Sequence, residues 1–556
     1  MIEINADIAI IGAGFSGSLI ALLLKQIGLK PVLIDRGTHP RFAIGESSTP
    51  LANLILEDLA RRYELPRLAP LANYAQWKQT YPDIVCGLKR GFSYFHHTLG
   101  EDFRPRADRA NELLVAASAS NDDADTHWLR SDFDMFLAHE VSAAGIPYFD
   151  GTSIDELLPR GDGWELKGHR CESGENLLVP SPPSWGEMAR VRGPNVDDVS
   201  TRKDVASSAV QPSIFKLQPS ECPPHPNPIP PKAEGEGTRI RITVDFLIDA
   251  SGEGSFVAKQ LGIEPHRDGL KTRSRALFSH FTGVLPWTDL YSARGGDISG
   301  HPYPCDDAAL HHVFDGGWMW VLRFDNGVTS AGFSLDPDRF PLDKTVAPEA
   351  EWTALMQQLP AVAEQFARAK PIVPWRQTGR MQRRLERSAG SNWVMLPNTA
   401  MFLDPLHSTG NAFTLVGIER LMLILERSWG RAELIDELKQ YDSLVQTETE
   451  FLDSVVSGSF AGFRDFRRMV ALSMFYFAAA TWSEEERRAG MARRGAAFLS
   501  ADHAGLKVAL AQAIRDIGDE SVSAPDFASR IRAAIAPFNR IGFCDERRQN
   551  MYPYDS

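Results

Sequence analysis

Gly12, Gly14 and Gly17 stand in the run GAGFSG, and Asp35 follows about 21 residues after Gly14. This spacing suits one kind of chemistry, the holding of a dinucleotide. Gly12 permits a tight turn. Gly14 lets the backbone approach a pyrophosphate, which then rests on the positive end of a helix. Gly17 lets that helix pack closely on its strand. Asp35 is placed to accept hydrogen bonds from an adenosine ribose.

The surrounding residues read as the elements such a turn needs. ADIAIIGAGFSGSLIALLLKQIGLKPVLIDRG runs strand, glycine turn, helix, strand. The first strand is an unbroken apolar run, as a parallel strand covered on both faces requires. The helix carries Leu19, Ile20, Leu22, Leu23, Leu24 and Ile27 on a broad apolar side, and Gly28 ends it.

Three more loops could close on the same ligand. RFAIGESSTP (41–50) follows the second strand. FLIDASGEGS sets Asp249, Gly252 and Gly254 after a buried strand. FLDPLHSTGNAF brings Asp404 and Pro405 to a helix entry at Ser408, Thr409 and Gly410. Ligand loops this far apart suit extended FAD better than NAD, and a helix entry aimed at a flavin ring stabilises negative charge there. No second glycine fingerprint for NADPH is visible.

Two further stretches hold candidate reactive groups. In WMWVLRFDNG, Trp318 and Trp320 fall on one face of a strand. They form either a packed sheet face or a barrier inside an active site. In CGLKRGFSYFHH, Lys89 sits among Gly87, Gly91, Phe92, Tyr94 and Phe95. An apolar strand desolvates an amine and lowers its pKa. His96-His97 and His311-His312 are adjacent pairs, whose members point to opposite strand faces and so suit no single metal. No G-x-S-x-G elbow is present. The basic run RMQRRLERS reads as a solvated or FAD-facing edge.

Composition bounds the rest. A chain of 556 residues exceeds one hydrophobic core, and 43% hydrophobic with 24% charged residues is ordinary for a globular protein. A net charge of -13 argues against a nucleic-acid partner. Five cysteines without a CxxC pair suit a reducing, cytoplasmic setting without zinc. No apolar run is long enough for a membrane span, and the N-terminus has no signal-peptide pattern. The fold expected is α/β: a Rossmann-like, three-layer FAD-binding domain, a β-sheet substrate domain and a helical C-terminal region. The FAD-binding domain is expected over 1–430, discontinuous and interleaved with the substrate sheet at about 75–120 and 270–380. A proline-rich insertion at about 171–237 reads as disordered, and 431–556 as mostly helical.

These segments resemble the flavin-dependent halogenase family, within the FAD-dependent monooxygenase fold. GAGFSGS and IGESSTP look like its first FAD loops, FLDPLHSTG like its Asp-Pro-Leu loop, GWMWVLRF like its W-x-W-x-I-P signature, and CGLKRGF like its K-x-G-x-x-F segment. The resemblance implies FAD contacts from Gly12, Gly14, Phe15, Ser16, Gly17, Asp35, Arg36, Gly45, Glu46, Ser47, Arg130, Asp249, Gly252, Asp404, Gly410 and Asn411. It implies chloride or bromide at the amides of Thr409 and Gly410, and a tunnel at Trp318, Trp320 and His407. It makes Lys89 the catalytic amine that holds hypohalous acid. Reduced FAD would come from a separate flavin reductase. The chain departs from the pattern at Arg323, where the family has proline. It departs again at His407, where tryptophan-type members carry glutamate. Without that carboxylate, a phenolic or polyketide-type aromatic, free, bulky or carrier-bound, fits better than free tryptophan. The alternatives are a flavin hydroxylase, a prenyl-reductase-like enzyme on the same fold, and a non-catalytic flavin-binding protein.

Overall fold

The computed structural model describes residues 1–170 and 238–554. The proline-rich stretch of about 171–237 lies outside the described residues.

The apolar runs around the glycine turn form a five-stranded parallel sheet. Its order is Trp393–Met395, Phe246–Asp249, Ile8–Ile11, Pro31–Ile34 and Tyr148–Phe149. Ile8, Ile10 and the facing Leu247 and Ile248 are fully buried, as expected where helices cover both faces of a parallel sheet. Helix Phe15–Gln26 leaves the first strand through the glycine turn, and Arg130–Ala143 packs beside it.

A second, larger sheet is mostly antiparallel. Its central strands are Arg275–Thr282, Val328–Leu335, Gly317–Arg323, Ala309–Phe314, Gly91–His97 and Glu112–Ala116. Trp318 pairs with Ser334 and Trp320 with Gly332. Gly332 is required there, because a Cβ would lie 2.5 Å from the Trp320 ring. A two-stranded ribbon, Cys86–Lys89 with Asp125–Trp128, packs against strand Gly317–Arg323 of the large sheet and sets Lys89 opposite Asp125.

From residue 409 on, the chain is largely helical. Thr409–Ser428, Leu434–Gly462, Phe466–Arg488, Ala504–Ile517 and Ala524–Ile535 follow one another before strand Met551–Tyr552 returns to the large sheet. Helix Phe466–Arg488 buries Phe475, Tyr476 and Phe477. Among the described residues no helix is long and apolar enough to cross a membrane.

Candidate active site

The glycine turn is shaped by what cannot fit in it. Gly12 has φ of +104°, and a Cβ there would lie 2.6 Å from the Ala250 carbonyl oxygen. A Cβ on Gly17 would lie 1.8 Å from the Gly12 carbonyl oxygen. Helix Phe15–Gln26 starts at Gly14 with no side-chain cap, so its first amides remain available to an anion.

Gly14, Phe15, Gly45, Ser47, Arg130 and Asn411 are linked around this turn. Arg130 donates to the carbonyls of Ile44 and Gly45 at 2.8 and 3.2 Å, and forms a two-bond pair with Asp134 at 2.8 Å. Its guanidinium lies 4.9 Å from the centre of the Phe15 ring and near Gly14. Asn411 donates to the Ser47 carbonyl at 3.3 Å, which draws the Thr409–Gly410 helix entry onto the Gly45–Ser47 loop. The Ser47 hydroxyl is buried with no hydrogen-bond partner. Uncapped amides, a cradle closed to side chains and an orphan hydroxyl fit a dinucleotide such as FAD.

Other expected contacts are already engaged. Asp35 accepts from the Ala13 amide at 2.6 Å and the Gly37 amide at 2.7 Å, and takes both arms of Arg41 at 2.6 and 2.7 Å. Burial raises its pKa, but the Arg41 charge and these bonds outweigh it, leaving the carboxyl below its ordinary value. A ribose would have to share or displace Arg41, a partner that sequence reasoning missed. Asp249 accepts the amides of Ser251 and Val257. Asp404 accepts the hydroxyls of Ser274 and Ser334 at 2.6 Å and the Leu406 amide at 3.1 Å. These two acids brace their own loops, and Asp404 ties its loop to the strand beside Trp318. Glu46 turns to His280 at 2.8 Å. Gly252 has φ of +60° and donates to the Thr399 hydroxyl. Ser16 is buried in the first helical turn, and Arg36 is exposed.

Lys89 is fully buried, with its amine donating to the Ser48 carbonyl and lying 4.0 Å from the centre of the Phe92 ring. Burial pushes its pKa down, against the charges of Asp125 and Glu484, which raise it. Asp125 accepts from Asn53 at 2.8 Å through one oxygen, while the other has no hydrogen-bond partner. Burial pushes Asp125 up, opposed by Lys89, Arg488 and Asn53. The lysine strand is sewn to the tryptophan strand. The Asp325 amide donates to the Cys86 carbonyl at 2.9 Å, and a Cβ on Gly87 would lie 1.9 Å from the Arg323 carbonyl oxygen. The Arg323 guanidinium turns away to the carbonyls of Val284 and Leu285.

Trp318 and Trp320 are 1% and 6% exposed, with ring centres 5.8 Å apart. From them an aromatic row continues through His311, Tyr94, His407 and Tyr476. It ends at a cavity lined by Phe92, Val115, Tyr476, Phe477, Leu499, Ile541 and others. Lys89 stands directly behind Phe92. His407 does not line this cavity. It stacks 4.4 Å from Tyr476, and its ring nitrogens meet the hydroxyls of Tyr94 and Ser459 at 3.2 Å. Burial pushes its pKa down to about 3, so the ring is neutral near pH 7.

Sequence reasoning also missed Asp125 and Glu484. Asp125 is the register partner of Lys89 in a short strand, which no local pattern displays. Glu484 opens the run EEERR, which reads as a solvated helix end. A helical stripe of Phe477, Ala480, Thr481 and Glu484 was the available signal.

A family model described as FAD dependent oxidoreductase matches residues 7–175. Tetracycline 7-halogenase of Kitasatospora aureofaciens is 27% identical over 464 residues, covering 82% of this chain and 70% of that protein. Monodechloroaminopyrrolnitrin halogenase PrnC of Pseudomonas fluorescens is 25% identical over 469 residues, covering 83% and 69%. The crystal structure of halogenase PltM in complex with phloroglucinol and FAD superposes with a TM-score of 0.77 at 21% identity, covering 99% of this chain and all of that one. The glycine-turn region thus matches the FAD-dependent oxidoreductase class, and the fold matches solved flavin-dependent halogenase structures. Within that class, the chain is similar to flavin-dependent halogenases.

Proposed function

We propose that this protein is a two-component halogenase that chlorinates or brominates an electron-rich phenolic or polyketide-type aromatic. The observation that carries the reading is Lys89: a fully buried amine with a lowered pKa, directly behind the wall of an apolar cavity. A surface lysine has no reason to be there, and desolvating an amine without function is costly.

The turn Gly12–Gly17, with Arg130, Ser47 and Asn411, would hold FAD. When bound in reduced form, FAD activates dioxygen so that halide is oxidised to hypohalous acid. The amides of Thr409 and Gly410, at the start of a 20-residue helix, favour a halide through the positive end of the helix. Trp318 and Trp320 separate this end from the cavity, so substrate stays off the flavin and hydroxylation does not compete. Lys89 receives hypohalous acid and aims its halogen at an aromatic carbon in the cavity.

The substrate reading is supported by His407. Its position carries a neutral ring, packed between two tyrosines outside the cavity lining, where tryptophan-type members carry a glutamate that helps orient chemistry on the indole. A phenol forms phenolate and stabilises the intermediate itself. Relatives act on different rings, as the names tetracycline 7-halogenase and monodechloroaminopyrrolnitrin halogenase state. The phloroglucinol in the PltM complex is a phenol.

The test incubates the protein with FAD, a flavin reductase, NADH and bromide, together with tryptophan and a set of phenols. Mass spectrometry should find brominated phenol and no efficient, regiospecific halogenation of tryptophan. Oxygenated product without bromide would instead favour a flavin hydroxylase, a reading suggested by Arg323 in the proline position of the family signature.

A further inference from the structure

Glu484 is a carboxyl in an otherwise apolar or neutral cavity. Its neighbours on that wall are Phe92, Val115, Phe477, Thr481 and Leu499. The residue is 9% exposed, and its carboxyl has no hydrogen-bond or ion-pair partner among the described residues. Burying an ionisable group without a partner is unfavourable unless a ligand completes it. The charged groups that face it are Asp125 and Lys89 from the two-stranded ribbon and Arg488 and Glu485 from its own helix, with Tyr476 about two turns back.

We infer that Glu484 recognises the hydroxyl of a phenolic substrate in this cavity and takes its proton as the ring is halogenated. The inference rests on the halogenase reading for its electrophile, hypohalous acid. It places the hydroxyl at Glu484 and the reacting carbon toward Lys89. The ring supplies the electron pair of the new carbon–halogen bond. The halogen–oxygen bond breaks, and the departing hydroxide takes a proton from the Lys89 ammonium to leave as water. The phenolic proton passes to the Glu484 carboxylate, giving a neutral halodienone. Lys89 then removes the ring proton, and Glu484 returns its own to the oxygen. Phenol and hypohalous acid thus become halophenol and water, and both side chains end as they began.

Burial, and then the Asp125 charge, raise Glu484 to about 8. A phenol titrates near ~10, so the transfer is uphill by about two pKa units rather than the roughly six facing an ordinary glutamate.

The test compares binding of phloroglucinol with that of 1,3,5-trimethoxybenzene, a similarly electron-rich ring without a hydroxyl donor, by calorimetry on FAD-loaded protein. Wild type should bind the phenol at least ten times more tightly. Glu484→Gln should erase that preference and lower kcat/KM for bromination of phloroglucinol by about 100-fold. It should also remove the ascending pH-rate limb near 8 that loss of the Glu484 proton produces, leaving the descending limb of Lys89. Equal binding of the two rings by wild type, or a Glu484→Gln variant that keeps both the preference and the limb, would overturn the inference. If the variant fails to retain FAD, the wild-type comparison decides alone, extended to other phenols and their methyl ethers. Binding needs no halogenation. Selective, Glu484-dependent binding without halogenated product would therefore retain the recognition site while refuting the halogenase reading. Halogenated product without that dependence would refute the Glu484 role alone.

Discussion

Gly12, Gly14 and Gly17 lie within one short turn, whereas Lys89, Asp125 and Glu484 come from three segments far apart in the chain. The turn is built from backbone: the first helical amides are left without a side-chain cap, and side chains are missing because backbone occupies their place. The lysine cluster works through buried side chains: Asp125 and Glu484 shift Lys89, and Asp125 and Lys89 shift Glu484. A backbone site tolerates no added atoms. A side-chain cluster tolerates shape-conserving changes but not the loss of a titrating group.

The largest effect should come from adding atoms to the turn. Gly17→Val places a side chain where the Gly12 carbonyl oxygen already lies 1.8 Å from the Cβ position. Ordinary overpacking costs about 1–3 kcal/mol, and here the obstacle is backbone that cannot rotate away. The variant should purify without FAD and melt about 10 °C lower or fail to fold. Absorbance near 450 nm and a thermal melt check this. Wild-type FAD content would show that helix and strand can separate, which removes the contrast.

The next effect should be chemical rather than structural. Lys89→Met keeps an unbranched chain one atom shorter but deletes the amine beside Phe92 and Ser48. Halogenated product should fall by on the order of 1000-fold, while FAD content stays at the wild-type level. Product analysis by mass spectrometry, with flavin quantified in parallel, separates the two. Equal loss of FAD would make Lys89 part of the cofactor framework and merge the two regions.

These two sites also differ in how far they were legible beforehand. The glycine turn was readable because its whole logic is contiguous: apolar strand, three glycines, amphipathic helix, second strand. Lys89 was readable from its apolar neighbours and its resemblance to a known segment. Asp125 was hidden because strand register is a through-space relation between residues 89 and 125. Glu484 was hidden by its company, since Glu485 and Glu486 beside it are half-exposed and Arg488 exposed. Asp35, Asp249 and Asp404 were readable as acids at loop ends. Their engagement by local amides, hydroxyls and Arg41 depends on contacts no spacing encodes.

Acid–base linkage sharpens the contrast further. Glu484 is raised to about 8 from an ordinary value near ~4.3. The folded state therefore holds this proton more tightly than the unfolded state. That stabilisation is complete below about pH 4 and is lost as pH rises toward 8, at about 1.4 kcal/mol per pH unit. Glutamine cannot titrate, and Lys89 contributes to both proteins. Between pH 6 and 8, wild type should lose stability more steeply than Glu484→Gln, as urea midpoints would read. Parallel profiles would show that Glu484 titrates at its ordinary value.

The smallest effect is expected at His407, between the two regions. Its backbone is left-handed, with φ of +66°, which asparagine tolerates better than most residues. His407→Asn shortens the ring that stacks on Tyr476 and bonds the hydroxyls of Tyr94 and Ser459. Loss of stacking and of one buried hydrogen bond should cost about 1–2 kcal/mol of stability. The pH dependence of halogenation should not move, because a ring whose pKa is pushed down to about 3 does not change charge between pH 6 and 8. A denaturant midpoint and a pH–rate profile on the same preparation test both halves. A profile that loses a limb in the variant would mean that the imidazole titrates during turnover. The row from Trp318 to Tyr476 would then carry protons as well as separating substrate from flavin.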